Sequence, residues 1–278
     1  MPSQSEKAHA FRALHECNAA FIIPNPWDAG TARLLAHLGF EALATTSAGY
    51  AFSTGKPDHG VSRDAMLEHV ATIAAAVDLP VSGDLENGYG DSPQDAAQTI
   101  LLAAAAGLVG GSIEDSTGHS DHPVYAIDAA AERIQAAAEA AHALSFPFTL
   151  TARAENYLYG INDLGDTIRR LQAFQSAGAD VLYAPGLTRK EDIEAVVRSV
   201  DRPVNVLAGL GSAPLDRSTL SAIGVKRISV GGALSRAAIG AFLRAAHEMH
   251  DHGVFTFTSQ AANSRELNEI FASCELPN

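Results

Sequence analysis

Two carboxylates stand two residues apart in the stretch 81–90, which reads Val-Ser-Gly-Asp-Leu-Glu-Asn-Gly-Tyr-Gly. The stretch starts as a short apolar strand and ends in a glycine-rich turn. Because side chains two apart on a strand point to the same face, we expect Asp84 and Glu86 to point the same way. Mg²⁺ prefers oxygen ligands and usually takes one or two protein carboxylates while it keeps several waters. The spacing is therefore typical of a Mg²⁺ site, and the alternative is an ordinary polar strand end before a turn.

Other predicted strands also end in polar residues. Arg153 stands among carboxylates and can clamp a substrate carboxylate with two hydrogen bonds, or it can form a structural ion pair that neutralises excess acid. The small residues 45–50 offer backbone amides that can approach an anion. Asp28 either contributes to a site or caps a helix that begins at Ala29. The remaining strand-end candidates are Trp27, Asp58, Glu114, Asp115, Tyr183, Asn205, Ser229, Gly231 and Gly232.

Short apolar runs alternate with longer alanine-rich runs along the chain. The predicted strands are 21–24, 42–46, 81–84, 109–114, 148–153, 181–184, 204–208 and 227–231. The predicted helices between and after them are 29–38, 62–77, 93–106, 128–144, 163–177, 189–199, 214–222 and 233–250, with two further helices at 5–18 and 263–273. Eight strand-helix units with strands apolar enough to be covered on both faces predict an α/β protein, a (β/α)₈ TIM-type barrel. In such barrels the chemistry lies at the carboxyl ends of the strands.

Composition narrows the class of function. We expect residues 1–278 to form a single barrel domain, a usual size for this fold. The formal net charge of −13 disfavours nucleic acid or an anionic membrane as a partner. Two cysteines, Cys17 and Cys274, stand in no metal-ligand spacing and fit a reducing compartment. Neither a signal peptide nor a run of about 18 apolar residues is present, so we predict a cytoplasmic protein.

Six motifs in this order resemble the isocitrate lyase and phosphoenolpyruvate mutase superfamily over roughly residues 10–250. They are Asn-Pro-Trp-Asp-Ala at 25–29, Ser-Ala-Gly at 47–49, Gly-Lys-Pro-Asp at 55–58, Asp-Leu-Glu-Asn-Gly-Tyr-Gly at 84–90, Ile-Glu-Asp at 113–115 and Ala-Arg-Ala-Glu at 152–155.

The resemblance implies a Mg²⁺-dependent barrel, with Mn²⁺ as a possible substitute, that acts on 2-oxo acids or their adducts. It implies a homodimer or homotetramer in which the last barrel helix is exchanged between subunits. It further implies that Asp84 binds the metal directly, that Asp58, Glu86 and Glu114 hold its waters, and that the substrate is contacted by Trp27, Ser47, Ala48, Gly49, Asp84, Arg153 and Asn205. Arg153 would also balance charge during catalysis.

Departures from the family pattern bear on the reaction. Lyases of the superfamily carry a catalytic cysteine on the loop after strand four, whereas the corresponding loop here, 116–123, has neither cysteine nor lysine. The loop offers His119 and His122, either of which can act as acid or base near neutral pH or be a solvated loop residue. Tyr183 stands where mutases tend to have histidine, which weighs against activity on a phosphonate.

The sequence therefore predicts a Mg²⁺-dependent lyase that cleaves a C–C bond of a small 2-oxo dicarboxylate or related adduct through an enolate. Oxaloacetate decarboxylation is the simplest case, and it requires no thiol, because the enolate can be protonated by water or by a histidine. Two alternatives stay open: C–P chemistry on phosphonopyruvate, as a mutase or hydrolase, and a barrel that binds a 2-oxo acid without catalysis.

Overall fold

A computed structural model describes residues 2–209 and 215–273, in which eight strands alternate with helices. The strands are β1 (Phe21–Ile23), β2 (Leu43–Ala44), β3 (Val81–Asp84), β4 (Gly110–Glu114), β5 (Thr149–Arg153), β6 (Val181–Tyr183), β7 (Val204–Leu207) and β8 (Arg227–Ser229). The helices are α1 (Gln4–Glu16), α2 (Ala29–His37), α3 (Ser47–Ser53), α4 (Arg63–Ala76), α5 (Pro93–Ala105), α6 (Ile127–His142), α7 (Leu164–Ser176), α8 (Lys190–Arg198), α9 (Arg217–Ala222), α10 (Ala233–His252) and α11 (Ser264–Ser273), with a 3₁₀ helix at Thr256–Gln260.

The strands are all parallel and follow the order β1-β8-β7-β6-β5-β4-β3-β2. The gap between β1 and β2 is bridged just beyond β1, where the Ala44 amide donates to the Pro24 carbonyl at 3.1 Å. Asn25 strengthens this closure, because its amide nitrogen donates to the Thr45 carbonyl and its oxygen accepts from the backbone amides of Val230 and Gly231. The predicted (β/α)₈ barrel is confirmed.

Strand register decides which residues meet inside the barrel. Across β4 to β8, adjacent strands pair Glu114 with Arg153, Arg153 with Tyr183, Tyr183 with Asn205 and Asn205 with Arg227. Because side chains alternate along a strand, this row of polar residues faces the barrel interior. Their apolar neighbours are buried against the helices, as Ile113 and Leu182 show. The same alternation thus builds the core and the polar interior.

The turn after β3 interrupts the alternation that we expected to run through Glu86. Strand β3 ends at Asp84, and Glu86 has φ of 49°, in the left-handed region. The intervening Leu85 is fully buried over two glycines, since a Cβ at Gly83 or Gly111 would approach its side chain to 3.0 Å or less. Glu86 is therefore placed by the turn and not by strand periodicity.

Two helices need comment, because α3 was not among the predicted helices and α10 buries little of its surface. Helix α3 follows β2 closely, and its N-cap Thr46 accepts from the Gly49 amide. Helix α10 has the predicted position, but Ser235 is its one buried residue among those described. Its apolar side chains remain exposed, with Phe242 at 70% and Leu243 at 50%. No helix within the described part of the chain has the length and apolar character needed to cross a membrane.

Candidate active site

A cavity of about 520 Å³ opens at the carboxyl ends of the strands. Each of the eight strands contributes at least one residue to the cavity wall, from its own last residues or from the turn that follows it, and β6 contributes Tyr183. Of the residues predicted from the sequence, those that line it are Ser47, Ala48, Asp58, Asp84, Glu114, Arg153, Tyr183, Asn205, Ser229, Gly231 and Gly232. The barrel therefore brings together side chains that lie far apart in sequence.

Arg153 joins three carboxylates in this cavity. Its Nη1 lies 2.8 Å from Asp84 Oδ1 and 3.1 Å from Glu114 Oε2, and its Nε lies 2.9 Å from Glu155 Oε1. Burial alone would lower the pKa of Arg153, but the carboxylates outweigh it and raise that pKa. Burial also raises the pKa of Glu155, and the attraction of Arg153 opposes that shift. One guanidinium among three acids leaves the cluster negatively charged, which suits a cation as a ligand.

Asp84 is held in place from two sides. Its Oδ2 accepts from the backbone amide and the hydroxyl of Ser47, at 2.9 and 2.8 Å. Its own backbone amide donates to Thr45 Oγ1 at 2.9 Å. Because the Ser47 amide is bound to Asp84 and the Gly49 amide to Thr46, these two amides already have partners within the chain.

The other carboxylates predicted to serve a metal occupy different surroundings. Glu114 is 3% exposed and accepts from the Ser116 hydroxyl at 2.6 Å. Glu86 is buried, lies in an adjoining groove and approaches His59 Nδ1 to 3.5 Å. Burial raises the pKa of Glu86, whereas the hydrogen bond with Glu86 raises the pKa of His59 to about 9. Asp58 is exposed and lines the cavity rim.

Arg227 is a functional candidate that sequence reasoning missed. It lies on β8, is 5% exposed and lines the cavity floor. It donates from Nε to Asn205 Oδ1 at 3.0 Å and from Nη2 to Thr151 Oγ1 at 2.9 Å, and Nη1 lies 3.5 Å from His15 Nε2. Since no carboxylate of the described chain contacts it, Arg227 places a positive charge beneath the cavity. The sequence feature that could have identified Arg227 is its position two residues before Ser229, which places both side chains on the inward face of β8.

The bond from Arg227 also fixes the orientation of Asn205. With its oxygen held by Arg227, Asn205 directs Nδ2 to Ser229 Oγ at 2.9 Å. Tyr183 stands beside these residues, with its ring centre 5.3 Å from the Arg153 guanidinium carbon. Burial raises the pKa of Tyr183 to about 12, so the phenol stays protonated at neutral pH.

Several predicted site residues lie outside the cavity. Trp27 and Gly49 pack together behind it, where a Cβ on Gly49 would come within 3.2 Å of Trp27 Cβ. His119 and His122 are exposed on their loop, with ring centres 4.9 Å apart. His122 Nδ1 lies 2.8 Å from Asp121 Oδ1. Asp28 caps α2 through a bond from the Thr31 amide. The roles of Trp27, Gly49 and the two histidines stay predictions.

Comparison with known proteins establishes the family. The family model described as phosphoenolpyruvate phosphomutase matches residues 11–250, and the chain belongs to this family. The superfamily resemblance expected from the motifs is confirmed.

Individual relatives extend over nearly the whole chain. A crystal structure from Burkholderia cenocepacia J2315, provisionally described as a lyase/mutase, is 65% identical with a TM-score of 0.95 and covers 97% of this chain and 96% of its own. An uncharacterized protein of Mycobacterium tuberculosis is 32% identical over 87% of this chain and 89% of the relative. The oxaloacetate decarboxylase of Chromohalobacter salexigens is 28% identical over 90% of this chain and 88% of that protein.

Proposed function

We propose that this protein is a Mg²⁺-dependent lyase that breaks a C–C bond of a small 2-oxo dicarboxylate through an enolate, with oxaloacetate decarboxylation as the simplest reaction. The observation that carries the proposal is the single cluster of Asp84, Glu114 and Arg153 at the strand ends. The oxaloacetate decarboxylase relative supports the choice of substrate.

The residues present suit a hydrated Mg²⁺ ion. Asp84 would hold it directly, and Asp58, Glu86 and Glu114 would hold its waters; Mn²⁺ would serve as a substitute. No group of three or more His, Cys, Asp and Glu side chains among the described residues converges into a cage for a bare ion. Mg²⁺ does not require one, because it dehydrates reluctantly and is often bound through one or two carboxylates. When bound, the cation supplies electrophilic stabilisation of the developing enolate.

Protein groups would position the substrate and its charge. Arg153 balances the negative charge of the cluster and can turn one guanidinium edge to a substrate carboxylate. Arg236 lies at the start of α10, lines the cavity and has no ion pair among the described residues, so it can bind a second carboxylate. Ser47 and Ala48 line the same cavity at the start of α3, and the backbone amide of Ala48 is the candidate for an oxyanion contact, because the Ser47 and Gly49 amides have partners within the chain.

Proton transfer would come from the loop 116–123. Water or one of the two histidines, His119 or His122, would protonate the enolate carbon when the loop moves over the cavity. The loop is anchored at its base, where Ser116 and Val124 form an antiparallel bridge, whereas both histidines are exposed at its tip. This arrangement supports a proton carrier on a movable tip.

Assembly is a further part of the proposal. The exposed apolar side chains of α10 would be covered by a second copy of the chain, in a homodimer or homotetramer with α10 exchanged between subunits. The exposed Phe242 and Leu243 support this, because large contiguous apolar surface normally marks an interface.

A panel of 2-oxo acids assayed with and without Mg²⁺ tests the function. We expect oxaloacetate to give pyruvate and CO₂ with Mg²⁺ and no enzymatic product after chelation, with the Asp84→Asn protein as the inactive control. Turnover of phosphonopyruvate alone would instead support C–P chemistry. A thermal shift by 2-oxo acids without product from any of them would support a binding protein.

A further inference from the structure

Tyr89 carries a buried hydroxyl group that lacks a partner. Its ring packs against the hydrophobic core, while the phenol oxygen is buried with no hydrogen-bond partner among the described residues. Buried hydroxyl groups in proteins are nearly always hydrogen-bonded to protein or to ordered water. The phenol at Tyr89 is therefore a site where a polar partner is expected.

An unusual backbone turn holds the phenol in place. Tyr89 has φ of 60°, a left-handed conformation that is strained for a residue with a side chain, and Glu86 has φ of 49°. The turn is secured by bonds from the Tyr89 amide to Asn87 Oδ1 and from the Gly88 amide to the Leu85 carbonyl. Strain of this kind persists where the surrounding structure requires one position of a side chain.

Tyr89 lies close to the acidic residues of the candidate metal site. Tyr89 lines the groove beside the cavity together with Glu86, His59 and Ser116. Burial raises the pKa of Tyr89, and the negative charges of Glu86, Asp84 and Glu114 raise it further. The phenol therefore stays neutral at physiological pH and lies within the field of the three carboxylates proposed for the metal and its waters.

We propose that Tyr89 belongs to the metal site: its phenol oxygen accepts a hydrogen bond from a water molecule in the hydration shell of the Mg²⁺ ion that Asp84 binds. The inference rests on the metal-dependent function proposed above. A water polarised by Mg²⁺ is a strong hydrogen-bond donor, and each of its two O–H groups needs an acceptor. Glu86 and Glu114 are charged acceptors for such protons, and the tyrosine hydroxyl adds a neutral acceptor.

Replacement by phenylalanine separates this role from a structural one, because Tyr89→Phe removes the oxygen and keeps the ring. We expect Mn²⁺, titrated into the full-length protein and followed by electron paramagnetic resonance, to bind about tenfold more weakly to the variant. In the presence of chelator the variant should melt about 2 °C higher than the wild type, since a buried hydroxyl without a partner has been removed. In saturating Mn²⁺ the variant should melt at the same temperature as the wild type or at a lower one.

Tyr125→Phe is the matched control. The Tyr125 hydroxyl donates to Asp91 Oδ1 at 2.6 Å and so already has a protein partner. We expect this variant to bind Mn²⁺ as the wild type does, and to show the same change in Tm with and without the metal. A loss of Mn²⁺ affinity in both variants would indicate a general effect of removing a hydroxyl and would overturn the proposal for Tyr89.

The outcomes distinguish this inference from the proposed function. If the wild-type protein binds no Mn²⁺, the metal dependence fails and the role of Tyr89 fails with it. If the wild type binds Mn²⁺ and Tyr89→Phe binds it equally well, only the role of Tyr89 is overturned. A lower Tm of Tyr89→Phe in chelator would show that the hydroxyl stabilises the metal-free fold and would also overturn it.

Discussion

Arg153 Nη1 lies 2.8 Å from Asp84 Oδ1, so that a cation from β5 and an acid from β3 meet across the mouth of the barrel. The same nitrogen is 3.1 Å from Glu114 on the intervening strand β4. Removing one partner of a buried ion pair leaves the other charge buried without a partner, which costs several kcal/mol. The pair therefore ties the candidate metal ligand to the residue proposed to balance substrate charge.

Asp84→Asn should abolish activity without unfolding the barrel. The variant keeps an oxygen for the Ser47 bonds but loses the negative charge that a cation needs, so we expect Mg²⁺ affinity to fall by about 100-fold or more. Metal titration and turnover of oxaloacetate measure the effect, with circular dichroism to verify folding. Asp78→Asn, at an exposed position, is the control. A folded Asp84→Asn protein with wild-type turnover would exclude the metal site.

Arg153→Lys should reduce kcat/KM for oxaloacetate by about 100-fold even though the positive charge is kept. A lysine ammonium cannot reproduce the planar fork that bonds Asp84 and Glu114 from one nitrogen and Glu155 from another. Steady-state kinetics at saturating Mg²⁺ measure the loss. Arg169→Lys, on the exposed side of α7, should retain full activity. Full activity of Arg153→Lys would show that charge alone suffices.

Catalysis should need no thiol. Cys17 is exposed at the end of α1, away from the strand ends, and Cys274 lies outside the described residues. We expect the Cys17→Ser, Cys274→Ser double variant to keep near-wild-type turnover of oxaloacetate. A tenfold or greater loss in the folded double variant would reopen a thiol-dependent lyase mechanism.

If a loop histidine is the acid, His119→Ala or His122→Ala should lower turnover of oxaloacetate by about 100-fold. Both side chains are exposed outside the cavity, so the effect requires that the loop move over the substrate. Turnover of the two single variants should be compared with that of His247→Ala, an exposed histidine on α10. Wild-type turnover in both loop variants would leave water as the proton source.

The fold should lose stability in mild acid through His15. Burial is the largest cause that lowers the pKa of His15 to about 3, and the nearby Arg227 lowers it further. Below about pH 6.5 the unfolded chain takes up a proton at this residue and the folded chain does not, so stability falls by about 1.4 kcal/mol per pH unit until about pH 3. Urea unfolding across this range should show that slope in the difference between wild type and His15→Gln. His9→Gln, on the same helix, is the control, and a flat difference for His15→Gln would contradict the prediction.

Phe242→Asp should shift the protein toward monomers. Phe242 is 70% exposed, and Ser235 is the one buried residue of α10 in the described part of the chain. A charge at position 242 would therefore not disturb the core of its own barrel. It would disrupt an interface that covers α10. Sedimentation velocity at micromolar concentration measures the change, with Asp78→Asn, an exposed position between α4 and β3, as the control. A wild-type protein that is already monomeric would remove the assembly proposal.

Local periodicity determined the elements of this protein. Short apolar runs, alanine-rich helical stretches and turn residues predicted all eight strands, with every end within two residues of the observed one. Strand-end motifs likewise predicted the family and several residues of the cavity, including Asp84, Glu114 and Arg153. This succeeds because barrel strands present their last side chains at one common face, whatever their separation in sequence.

Tertiary structure alone decided which of these groups meet. The sequence could not show that Glu86 turns into a left-handed conformation and approaches His59, because that depends on Leu85 packing over Gly83 and Gly111. Nor could it show that Arg227 would be buried beneath the cavity without a carboxylate partner, since its spacing from Ser229 indicates the inward face of β8 but not which groups it meets there. Sequence periodicity specifies the face of each element, whereas strand register and packing between distant segments fix the distances at which chemistry occurs.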